Sequence, residues 1–76
     1  MEPNWNDMRQ RLSKLTVKSL RTIGRTWFNG SLGGASSKFE LVYTMVSQAQ
    51  HWWNLPDEHG RQRVRNVLAM IEEMEG

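Results

Sequence analysis

The sequence contains no cysteine, which excludes disulfides and thiolate-bound zinc as sources of stability. No run approaches the ~18 apolar residues that a membrane-spanning helix needs. The opening residues 1–10 lack the basic and then apolar pattern of a signal peptide. A cytoplasmic location in a reducing compartment is therefore the expectation, with no membrane partner. Apolar and polar residues nowhere alternate with a period of two, so no strand is expected. Most unevenly missing are the acids: none occurs between Met8 and Phe39.

That gap makes the charge lopsided. The chain has a formal net charge of only +2 over 76 residues. Residues 1–38 nevertheless hold seven basic side chains (Arg9, Arg11, Lys14, Lys18, Arg21, Arg25, Lys38) against two acidic ones (Glu2, Asp7), a balance of +5. Residues 39–76 hold three basic side chains (Arg61, Arg63, Arg65) against six acidic ones (Glu40, Asp57, Glu58, Glu72, Glu73, Glu75), a balance of −3. A polyanion is drawn to the first half and repelled from the C-terminal end.

What is present reads as helix, and at this length as one domain spanning residues 1–76. Trp5, Met8, Leu12 and Leu15 recur at helical spacing behind Asn4, a candidate N-cap. Thr16 opens a second helix, which continues to about residue 27. Residues 29–37 are rich in Gly and Ser and must form a loop, because each glycine inside a helix costs about 1 kcal/mol relative to alanine. Ser37-Lys38-Phe39-Glu40 is a capping box opening a third helix, ended by Leu55-Pro56 because the residue before proline is disfavoured in helical geometry. Val64, Val67, Leu68, Ile71 and Met74 carry a fourth. The predicted helices cover 4–14, 17–27, 37–53 and 58–74. Leu20, Ile23, Trp27, Phe39, Val42, Val46, Val67, Leu68 and Ile71 are the expected core. Four Trp, two Phe and one Tyr supply the large buried surfaces that a small domain needs.

Two constellations point to a partner. On the second helix, Leu20, Ile23 and Trp27 share one side, while Lys18, Arg21 and Arg25 (i, i+3, i+7) share the other. An ordinary solvated face explains such a row. So does a phosphate-binding face, and the missing acids favour the latter. Second, the loop delivers its glycines to a helix N-terminus, where unpaired amides and the positive end of the helix dipole favour anions. Gly33, Gly34 and Lys38 are the candidate residues there, and Lys14 in the first helix is a further candidate cation. A routine N-cap on a flexible connection is the competing explanation. The spacing of a nucleotide P-loop is absent.

Catalytic and metal readings find no residues to carry them. There is no cysteine nucleophile and no GxSxG turn. His51 and His59 are separated by a helix break and lack metal-ligand spacing. Neither an enzyme nor a cofactor is expected. The adjacent Trp52 and Trp53 are about 100° apart on a helix, so one of them is expected to be half exposed. This pair, or the acidic terminal helix, would serve a protein partner if the chain were an interaction adaptor instead.

Leu15-Thr16-Val17-Lys18-Ser19-Leu20, the glycines Gly30 to Gly34, and Ser37-Lys38-Phe39-Glu40-Leu41-Val42 together resemble the helix–extension–helix superfamily. That superfamily includes the SAP and LEM domains and the N-terminal domain of transcription termination factor Rho. The resemblance spans about residues 12–50. Ser19 replaces the usual acid of the first helix, and the connection is longer and richer in glycine. The resemblance implies an all-α, small four-helix module: two near-parallel helices joined by an extension and braced by a C-terminal helix. It implies DNA or RNA as partner, with Gly33, Gly34, Ser36, Ser37 and Lys38 on the phosphate backbone. LEM relatives bind proteins, so fold alone does not choose the partner.

Overall fold

A computed structural model describes residues 2–28 and 37–76. The chain is all-α, with four α-helices and no strand among the described residues: α1 (Trp5–Ser13), α2 (Val17–Ile23), α3 (Lys38–Trp53) and α4 (Glu58–Glu75). A π-helical turn, Gly24–Phe28, continues α2. Three expected caps open their helices. The Asn4 side chain accepts from the Asp7 amide at 3.0 Å, Thr16 Oγ1 from the Ser19 amide at 3.1 Å, and Ser37 Oγ from the Glu40 amide at 3.2 Å. Each satisfies one of the amides a helix start leaves unpaired. Asp57 caps α4 in the same way, accepting from the His59 amide at 2.7 Å.

Helix α1 packs on α3, α3 on α4, and α2 on both α3 and α4. Their shared core holds Met8, Leu12 and Leu15, then Leu20, Ile23 and Phe28, then Leu41, Val42, Met45, Ala49, Trp52 and Trp53, and finally Val64, Val67 and Ile71. No polar or charged side chain is buried among the described residues.

Two expected core positions are corrected. Phe39 is 75% exposed, because the buried stripe of α3 runs through Leu41, Met45, Ala49 and Trp52. At about 100° per residue, Phe39 falls roughly 125° from the centre of that stripe. Trp27 is only half-buried, and Phe28 takes the core place at 1% exposure. The π turn is the cause. An α-helix would bring residue 27, four on, beneath Ile23, whereas the i→i+5 spacing of a π turn brings residue 28 there. Thr22 Oγ1 and Thr26 Oγ1 donate to the carbonyls of Lys18 and Thr22, at 3.1 and 2.8 Å. Such back-bonding to the preceding turn accompanies helix distortion. Val46 and Leu68 are half-buried at the margin of the core.

Candidate nucleic-acid interface

Lys18, Arg21 and Arg25 are exposed along α2 and the π turn. The ion pairs among the described residues are Arg11–Glu75 and Arg65–Glu58. The row thus has no carboxylate partner there, and neither does Lys38. Three like charges on one helix slightly repel one another, so mutual pairing does not account for the row.

Lys14 is placed differently. It caps the C-terminus of α1 and lines a shallow depression with Leu15, Thr16, Ser19, Met74 and Glu75. The Glu75 carboxyl is held below its ordinary value, first by its hydrogen bonds from Arg11 and also by the nearby charge of Lys14. Lys14 therefore faces an acid, and its charge is less available to a phosphate than those of α2. Among the described residues that line Lys14's depression, none belongs to the α2 row.

Ser37 and Lys38 stand at the start of α3, and both are exposed. The Ser37 hydroxyl already accepts from the Glu40 amide, so its cap is occupied while its own O–H can still donate. Gly33, Gly34 and Ser36 lie outside the described residues.

Lys38 belongs to a groove of about 400 Å³ whose other lining residues are Arg9, Ser13, Phe39, Val42 and Tyr43. Phe39 and Tyr43 are 75% and 63% exposed. They sit one helical turn apart, with ring centroids 6.5 Å apart and planes within 14°. Arg9 Nη2 donates to Asn6 Oδ1, which tethers the guanidinium by one of its five N–H groups. Sequence reasoning missed this pair because it placed Phe39 in the core. The available signal was the offset of Phe39 and Tyr43, at i and i+4, from the Leu41–Met45–Ala49–Trp52 stripe.

The expectation that Trp52 or Trp53 is half exposed is also corrected. Both are buried, at 8% and 7% exposure. Trp52 stacks on Phe28 with centroids 4.9 Å apart, and Trp53 meets Trp5 edge-on at 6.3 Å. The 100° between them is absorbed because each faces a different neighbouring element. Arginines close the outer side: Arg63 lies 4.8 Å from the Trp52 ring centre, and Arg61 and Arg65 lie 5.3 and 5.8 Å from that of Trp53. Cation–π attraction and the apolar stems of these side chains both favour that seat. The three basic residues of the second half are thus engaged with indoles.

At the acidic end, Glu75 accepts from Arg11 Nε at 2.9 Å and Nη2 at 2.7 Å, a bidentate pair joining α4 to α1. Among the described residues no cluster of His, Asp or Glu could hold a metal, and no helix is long and apolar enough to cross a membrane. No family model matches the chain, and neither a curated protein nor a solved structure matches it.

Proposed function

We propose that this chain is a small, non-catalytic, cytoplasmic nucleic-acid-binding module that holds DNA or RNA mainly by the phosphate backbone. The observation that carries the reading is the exposed row Lys18, Arg21 and Arg25, unpaired among the described residues and set in a stretch with no acid between Met8 and Phe39. Lys38 adds a fourth cation beside the N-terminus of α3, where the helix dipole also favours an anion. Gly33, Gly34, Ser36 and Ser37 complete the contact by the resemblance to SAP domains, and Lys14 plays a lesser part because Glu75 faces it. The helix–extension–helix relation of α2 to α3 belongs to the same proposal. The adaptor alternative loses its Trp surface, since both indoles are buried.

Phosphate binding is driven by counterion release, so log K falls linearly with log salt, by about 0.9 per phosphate neutralised on duplex DNA. Four cations predict a slope of about −3 to −4 in a salt-titrated duplex-binding assay. Absence of any binding to DNA or RNA at about 50 mM salt, where phosphate contacts are strong, would sink the reading.

A further inference from the structure

We infer that the groove between α1 and α3 is a stacking platform for unpaired bases, so that the preferred ligand is single-stranded. The inference rests on the nucleic-acid reading and adds the class of nucleic acid to it. Isolated exposed apolar side chains are common and need no explanation. Phe39 and Tyr43 are not isolated: they are adjacent with nearly parallel rings, and they share a groove with Val42. Among the described residues, the charged side chains lining that groove are both cationic, Arg9 and Lys38, and none is a carboxylate. An apolar floor with a rim of one charge sign fits a ligand that is flat and apolar in one part and anionic in another. A single strand is such a ligand, offering base faces to aromatic rings and phosphates to flanking cations. A duplex hides its base faces in the stack, so it could use the cations without the rings. The groove volume of about 400 Å³ falls in the range of sites that enclose small ring systems.

The test is fluorescence anisotropy on the full chain with three labelled probes of equal length: an oligothymidylate, a duplex, and an abasic deoxyribose-phosphate chain. The oligothymidylate should bind more tightly than the abasic chain of the same charge. Phe39→Ala and Tyr43→Ala should each weaken its binding by about 5- to 150-fold, the loss expected for one base–aromatic stack. Both should leave the duplex and abasic affinities unchanged, and Tyr43→Phe should retain wild-type affinity because the ring and not the hydroxyl is used. Circular dichroism melts should show both alanine variants folded, since each removes an exposed ring. Equal binding of the oligothymidylate and abasic chains, untouched by Phe39→Ala, would overturn the platform and leave the phosphate reading standing. No binding of any probe would overturn both. Concentration-dependent self-association in sedimentation runs, abolished by Phe39→Ala, would overturn it in favour of a second copy of the chain in the groove.

Discussion

The backbone of Gly60 lies directly against the carbonyl of Trp52: a Cβ built at position 60 would overlap that oxygen, well inside van der Waals contact. Gly60 sits in the first turn of α4, where alanine would ordinarily be favoured over glycine by about 1 kcal/mol. Here the sign is reversed, because the obstructing atom is backbone and cannot rotate away. Gly60→Ala should destabilise the chain by about 1–3 kcal/mol or more, the cost of overpacking a close helix contact. Thermal unfolding checks this, and an unchanged or raised Tm would show that α3 and α4 do not meet at this point.

The π turn makes a second contrast. Phe28 is fully buried and stacked on Trp52, while Trp27 is half-buried with an indole N–H that is enclosed and without a partner among the described residues. Phe28→Ala should cost about 3–5 kcal/mol, the usual loss for a buried aromatic. Trp27→Phe keeps an aromatic ring at the half-buried position and removes a donor with no partner among the described residues, so it should change stability by less than about 1 kcal/mol. Chemical denaturation of the two variants decides it. A larger loss at Trp27 than at Phe28 would mean that α2 continues as a regular α-helix through residue 28.

The Arg11–Glu75 pair predicts a pH dependence. Arg11 holds the Glu75 carboxyl below its usual 4.5, chiefly through their hydrogen bonds. A carboxyl whose folded value is lowered binds protons more readily when unfolded, so its stabilising effect is full above about 4.5 and fades as pH falls through the lowered value. Arg11→Gln should therefore melt below wild type near neutral pH, with the gap closing as the solution is acidified and narrowing in high salt. Paired melts across pH measure it. A gap that stays constant from neutral to strongly acidic pH would assign the effect to lost packing of the arginine stem.

These contacts mark where the sequence was readable and where it was not. The starts of α1, α2 and α3 were legible because capping is local: Asn4, Thr16 and Ser37 each bond an amide three residues on. The π turn was not, since one residue of register shift leaves no local trace and only the buried Phe28 reveals it. Trp52 and Trp53 defeated the single-helix geometry, because a helix with neighbours on two sides can bury residues 100° apart. A glycine at position 60 reads locally only as a weak helix former, and its use depends on Trp52, eight residues away. For the candidate site, the cations of α2 were legible since exposed charge needs no tertiary context. The Phe39–Tyr43 groove was not, because its walls come from both α1 and α3 and the sequence pattern assigns Phe39 to the core.

The α2 row gives the most direct test of function. Arg21→Glu with Arg25→Glu exchanges two cations for two anions on a face opposite Leu20 and Ile23, which are fully buried. Surface changes of this kind usually alter stability by no more than about ±0.5 kcal/mol, so the variant should fold and melt like wild type. If the row meets phosphates, binding should weaken on every sequence alike, because phosphate contacts position a protein without reading bases. Two fewer neutralised phosphates should also make the slope of log K against log salt shallower by about 1.8. Affinity and salt slope are measured on duplexes of unrelated sequence. Loss of binding confined to one sequence would point instead to base readout by these arginines. An unchanged slope would show that the row is a solvated face and that the phosphates lie elsewhere.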